Sequence, residues 1–175
     1  MRKNLELKAR YPDTEKGRLT AESLGAEAGG TDFQKDFYFK TVKGLLKLRV
    51  SSLSGAYLIP YLRPREKGER LSRFMTIPVE DPEALAELFG EILGIERVVK
   101  KKRSIYFYKN VRIHLDEVEN LGNFIEFEAV FETDDTDERE EKKKLEFLSA
   151  EFGISESDTM ADSYYYLTGK EDEKS

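Results

Sequence analysis

Apolar and polar residues alternate along most of this chain, a period of two that marks strands with one covered face. Segments with that period are Lys3 to Arg10, Phe33 to Lys40, Gly44 to Ser51, Gly55 to Arg63, Glu69 to Pro78, Arg97 to Tyr108, Val111 to Val118 and Asn123 to Glu132. Eight antiparallel strands of this length are about what a closed barrel needs. Where the period lengthens to that of a helix, the ends are punctuated. Pro82 to Leu93 has Asp81 as N-cap, Pro82 at the first helical position, Leu85, Leu88, Phe89 and Ile92 along one side, and Gly94 to stop it. A second helix is predicted over Thr14 to Ala28, carrying Leu19 and Leu24 before Gly29 and Gly30. A third is predicted over Asp137 to Phe152, with Leu145, Leu148 and Phe152 on one side and Gly153 beyond. Ser155 and Asp158 have the capping-box spacing of a short final helix. No internal repeat or Pro, Gly and Ser-rich linker divides the chain, which predicts one α+β domain over residues 1–169 and a disordered tail over 170–175.

The same alternation sorts the charges. In Asn4-Leu5-Glu6-Leu7-Lys8-Ala9-Arg10 every even position is polar and every odd one apolar, so Glu6, Lys8 and Arg10 project to one face. Lys47 and Arg49 lie opposite Leu46, Leu48 and Val50, and Arg112, His114 and Asp116 lie opposite Val111, Ile113 and Leu115. Glu126 and Glu128 lie opposite Ile125, Phe127 and Ala129, and Arg63 continues the face of Tyr57, Ile59 and Tyr61. Lys101 and Arg103 share a face, but Lys100 and Lys102 occupy the other, so alternation does not choose between them. Two architectures satisfy this pattern. An open antiparallel sheet would pack its apolar face on helices and show its charges to water. An eight-stranded antiparallel β-barrel with the helices packed outside would gather the charges within, which is costly unless a counter-charged ligand occupies it.

Composition narrows the chemistry. The 175 residues include no Cys and no Trp and a single histidine, His114, which excludes disulfides, thiolate nucleophiles and any site built from several imidazoles. The net charge of −6 argues against a general nucleic-acid binder. No stretch approaches a signal peptide or a membrane span, so a soluble, cytoplasmic protein is expected. In a barrel, the lining would comprise Lys8, Arg10, Lys47, Arg49, Arg63, Lys101, Arg103 and Arg112 against Glu6, Asp116, Glu126 and Glu128, an excess of four positive charges. Basic side chains chelate phosphoryl oxygens, and clustered carboxylates hold a hard cation such as Mg²⁺ or Mn²⁺. Polyphosphate plus metal fits both halves of the set. His114, alone on its strand, reads as a hydrogen-bonded wall residue before a catalyst. Tyr164-Tyr165-Tyr166 reads as packing against the barrel or a partner.

These residues resemble the CYTH superfamily, in particular its class IV adenylyl cyclase-like branch, over most of the chain. Asn4-Leu5-Glu6-Leu7-Lys8 is similar to the Glu-x-Glu-x-Lys motif that opens the family, and Gly44 to Arg49 to the basic strand that follows. Lys101 to Tyr106, Ile113 to Val118, Leu121 to Glu126 and Ile154 to Leu167 resemble the cyclase branch in order and spacing. The resemblance implies a triphosphate-tunnel barrel with Lys101 and Arg103 facing inward. It implies Glu6, Asp116 and Glu126 as catalytic metal carboxylates, and Lys8, Arg49, Arg63, Lys101 and Arg103 as phosphate-binding groups. Lys47, Arg112 and His114 as substrate contacts, and Glu128 as a further metal ligand, share the inward faces. It further implies ATP or another triphosphate as substrate, Mg²⁺ or Mn²⁺ as cofactor, and a homodimer in cyclase-like relatives. Asn4 departs from the motif's first acid, and an uncharged amide weakens a second metal. The expected functions are therefore conversion of ATP to cAMP and pyrophosphate, hydrolysis of an inorganic or organic triphosphate, or polyphosphate binding without turnover.

Overall fold

Neighbouring segments pair antiparallel around the chain until the last pairing closes the sheet on itself. In the computed structural model, which describes residues 2–62, 70–131, 137–161 and 163–172, the strands are β1 (Arg2–Arg10), β2 (Glu27–Phe39), β3 (Leu45–Ser51), β4 (Gly55–Leu62), β5 (Arg70–Phe74), β6 (Ile77–Pro78), β7 (Ile95–Tyr108), β8 (Val111–Val118) and β9 (Gly122–Phe131). The helices are α1 (Thr14–Ser23), α2 (Pro82–Leu93), α3 (Glu138–Glu151) and α4 (Tyr164–Asp172), with a 3₁₀ turn at Glu156–Asp158. The sheet order is β3-β2-β7-β8-β9-β1-β5-β4, closed by β3 pairing with β4, and β6 also pairs with β4. The result is a closed eight-stranded antiparallel barrel with helices outside, as the α+β reading anticipates. Strands β5 and β6 share one register on β4, with Tyr61 opposite Phe74 and Tyr57 opposite Pro78. They are one strand broken where it passes Pro60, whose carbonyl accepts from Met75 N at 3.3 Å but which has no N–H to return.

The first helix is shorter than its sequence pattern. Leu24 caps α1, and Gly25 turns the chain out of it with φ 73°. Residues from Glu27 onward pair with β7 instead, with a register shift between Ala28 and Gly30. Gly29 and Gly30 are thus a bulge in a strand and not a helix stop. A Cβ at Gly29 would lie 2.5 Å from the Phe107 ring, so only glycine fits there. The bounds of α2 match expectation, and Asp81 accepts from Ala84 N at 3.0 Å as its N-cap. Its stripe is only half used: Phe89 packs edge-on against Phe39 at 5.5 Å, whereas Leu88 and Ile92 are exposed.

The main core lies outside the barrel wall. Leu5, Leu7 and Ala9 of β1, Val111, Ile113 and Leu115 of β8, and Ile125, Phe127 and Ala129 of β9 pack against Ala21 of α1, Leu145 and Leu148 of α3, and Phe152. The apolar faces therefore point outward to helices, and the polar faces point inward. A second apolar cluster, Tyr38, Val99, Val118, Phe124, Tyr164 and Leu167, seats α4 over one end of the barrel. The Ser155 and Asp158 box caps only the 3₁₀ turn, and the helix proper begins later and runs through Lys170 to Asp172. No helix among the described residues is long and apolar enough to cross a membrane. Leu148 is fully buried between helix and barrel, so Leu148→Ala should lower unfolding free energy by about 3 kcal/mol in urea titration.

Candidate functional site

Since apolar side chains of the wall strands face out, their alternate neighbours meet inside, where they line a cavity of about 540 Å³. Behind its cations stands Asp36 of β2, which is fully buried. Arg49 donates to it bidentately, from Nε and Nη2 at 2.7 Å each, and Lys101 Nζ and Lys47 Nζ donate at 3.1 and 3.3 Å. Burial alone would raise the Asp36 pKa, but Arg49, Lys101 and Lys47 more than offset it and hold the carboxyl well below its usual range. The same crowding acts on the lysines. Burial and the neighbouring Arg49 push Lys47 down to about 8, against the pull of Asp36, and push Lys101 down as well.

A second buried pair joins β7 to β8. Arg103 donates to Asp116 from Nε and Nη2 at 2.7 Å each, and Tyr164 OH donates to the same carboxylate at 2.6 Å. Burial works against ionisation of Asp116, yet Arg103 brings its pKa to about 2. Beside it, Glu126 of β9 lies 2.8 Å from Lys8 Nζ and 3.7 Å from Arg103 Nη2. His114 Nδ1 sits 3.4 Å from Glu126. Burial and Arg103 lower the His114 pKa, so the imidazole is neutral near pH 7 and acts as a hydrogen-bonding wall group.

A third group lies at the other end of β1. Asn4 Nδ2 donates to Glu128 at 2.6 Å and, more weakly, to Glu6 at 3.5 Å, while Arg112 reaches Glu128 at 3.6 Å. Asn4 Oδ1 is buried with no hydrogen-bond partner among the described residues. An orphaned amide oxygen beside two carboxylates is a hard-oxygen donor set. No three acidic or imidazole groups among the described residues converge on a ready-made metal centre. Mg²⁺ needs no such cage, because it is usually held by one or two carboxylates together with substrate phosphates. Glu6, Glu128 and Asn4 Oδ1 therefore fit a divalent cation that arrives with a polyphosphate. Asp116 and Glu126 stand deeper among the cations, against Arg103 and Lys8.

Lys8, Lys47, Arg49, Lys101, Arg103, Arg112, His114, Glu6, Glu126 and Glu128 all line the cavity. Asp116 lies behind Arg103, fully buried. Arg10 does not line it: the residue is exposed at the end of β1, where it pairs with Phe124 of β9, and its guanidinium stands 5.3 Å from the Phe124 ring centre. Arg63 lies outside the described residues. Alternation left out Asp32, Gln34, Asp36 and Tyr38, the inward face of β2. Their signal was present in the spacing but was masked by Lys35, which shares the outward face with Phe33 and Phe37. Asp32 accepts from Ser51 Oγ at 2.8 Å, Gln34 Nε2 at 2.6 Å and Leu53 N at 3.2 Å. With Asp32 and Asp36 included, six carboxylates face six cations among the described side chains, Arg63 lying outside them. The remaining lining mixes apolar and aromatic residues, including Tyr57, Ile59, Phe74, Phe107 and Val130, with the hydroxyls of Ser54, Ser72, Thr76 and Ser163.

Comparison with known proteins agrees with this architecture. A family model described as the CYTH domain matches residues 2–164. The adenylate cyclase CyaB of Aeromonas hydrophila is 26 % identical over 172 residues, covering 93 % of this chain and 87 % of that protein. A Methanocaldococcus jannaschii protein provisionally named an adenylate cyclase is 26 % identical over 173 residues, covering 94 % and 98 %. A solved Pyrococcus horikoshii structure superposes with a TM-score of 0.81 at 30 % identity, covering 94 % of this chain and 98 % of that one.

The Asp36 contacts carry a stability prediction. Its depressed pKa means that its contribution is fully present above the unfolded value near 4 and is lost as pH falls through the lower folded value. Asp36→Asn should cost about 3 kcal/mol at pH 7 by urea unfolding, since three buried cations lose their counter-charge. The gap between variant and wild type should narrow progressively below about pH 4.

Proposed function

The chain belongs to the CYTH domain family, and from that premise we propose that it is a metal-dependent enzyme acting on ATP, releasing cAMP and pyrophosphate. The observation that carries this reading is the mixed lining of the cavity. Carboxylate-held Lys and Arg side chains suited to phosphoryl oxygens share it with apolar and aromatic side chains, Tyr57, Ile59, Phe74 and Phe107 among them, suited to an organic group. Inorganic triphosphate would need only the cations.

Lys8, Arg49, Lys101 and Arg103 bind and align the phosphates, with Asp36, Asp116 and Glu126 holding those cations in place before the substrate arrives. Phosphoryl and nucleotidyl transfer depend chiefly on such positioning and charge neutralisation. A divalent cation bound with the substrate at Glu6, Glu128 and Asn4 would neutralise phosphate charge and make the ribose 3′-hydroxyl more acidic. The 3′-oxygen attacks the α-phosphorus, the bond to the β-phosphate oxygen breaks, and the hydroxyl proton passes to water. Pyrophosphate charge then rests on the lysines and arginines. Lys47, with a pKa of about 8 before binding, is drawn to its charged form by the polyanion, so substrate binding takes up a proton near pH 8 and above. Asn4 favours a second reading, polyphosphate binding without turnover, because an amide at that position lowers the charge available to a metal pair.

Incubation of the purified protein with ATP and Mg²⁺ or Mn²⁺, followed by phosphorus NMR, tests the proposal. cAMP with pyrophosphate is the expected outcome, and Glu126→Ala, which strips Lys8 and Arg103 of a counter-charge, should be inactive. ADP with orthophosphate would favour the triphosphatase reading. Binding without turnover of ATP or tripolyphosphate would reduce the protein to a polyphosphate binder.

A further inference from the structure

We propose that Ser163 and the N-terminus of α4 form, within the cavity, a seat for the terminal phosphoryl group. This rests on the polyphosphate reading above and adds a direction to it. Ser163 is 3 % exposed and lines the cavity, yet its Oγ has no hydrogen-bond partner among the described residues. Its carbonyl opens the helix, accepting from Tyr166 N at 3.0 Å and Leu167 N at 3.2 Å. A serine at this place ordinarily turns its hydroxyl back onto the first-turn N–H groups as a cap. Here it does not, and a buried hydroxyl without a partner is costly to keep.

The surroundings are those of an anion site. The first turn of a helix offers N–H groups that lack intrahelical acceptors, and the helix dipole favours negative charge there. The nine-residue α4 brings that end beside two cations, with Lys8 Nζ 3.9 Å and Lys101 Nζ 5.4 Å from the centre of the Tyr164 ring. The nearby carboxylates are already matched, Asp116 by Arg103 and Glu126 by Lys8. The helix is held in place without the serine, through Tyr164 OH on Asp116 and the Tyr164 ring edge-on to Phe124 at 5.1 Å. A terminal phosphoryl group seated at Ser163 would direct the rest of the chain of phosphates toward Glu6 and Glu128.

Calorimetric titration with sodium tripolyphosphate and thermal melts of the ligand-free protein test this with two variants. Ser163→Ala should leave the ligand-free Tm unchanged, because the hydroxyl makes no bond to lose, and should weaken tripolyphosphate binding about tenfold. Ser163→Asp supplies a good helix cap but puts a carboxylate in the seat, and should abolish binding. Wild-type affinity in either variant overturns the seat while leaving the polyphosphate reading intact. A clear fall in the ligand-free Tm of Ser163→Ala would make the hydroxyl a structural cap, which also overturns it. Failure of the wild-type protein itself to bind tripolyphosphate would instead remove the reading on which the seat rests.

Discussion

Charge taken out of water into a closed barrel costs several kcal/mol per ion unless partners stand close by. In this protein that constraint organises the interior. Asp36 gathers Lys47, Arg49 and Lys101, and Asp116 fixes Arg103. Each carboxylate is anchored on a strand next to those carrying the cations, so the barrel's register sets their separation. The lysines and arginines are thus matched and oriented in the absence of ligand. A polyanion entering the cavity meets cations whose desolvation and ordering have already been met by folding, which is the condition under which electrostatic preorganisation is effective.

The outside of the molecule serves the same end. Helices α1 and α3 cover the apolar outer faces of β1, β8 and β9, so the barrel can afford to turn its polar faces inward. Helix α4 packs on Tyr38, Val99, Val118 and Phe124, and Tyr164 takes part in both that apolar cluster and the Asp116 network. At the opposite reach of the cavity Arg112, with a side chain 45 % exposed, marks where the interior meets solvent.

Much of this was legible in the residues. Alternation in β1, β3, β8 and β9 separates faces cleanly, because each has aliphatic or aromatic residues on one side and ions on the other. It could not say which face was inward, since an open sheet obeys the same pattern, and only the closing pair β3 and β4 decides the matter. Asp36 escaped notice for a physical reason: Lys35 on the outward face breaks the contrast, its stem and ammonium lying along the Phe37 ring at 4.6 Å. The N-terminal part of β2 was hidden by Gly29 and Gly30, which punctuate helices and bulges alike. The final helix was legible but misplaced, because the capping-box spacing of Ser155 and Asp158 belongs to the 3₁₀ turn, whereas α4 begins at Tyr164 and buries Tyr164 and Leu167 without a longer stripe.

The central claim is that the ion-paired cations inside the barrel are a polyphosphate site. A crystal structure of the full chain grown with tripolyphosphate and Mn²⁺ tests it most directly. The expected result is polyphosphate within the barrel, in contact with Lys8, Arg49, Lys101 and Arg103, and an anomalous Mn²⁺ peak beside Glu6 and Glu128. An interior free of polyphosphate at saturating ligand, with the anion bound only on the outer surface, would contradict it.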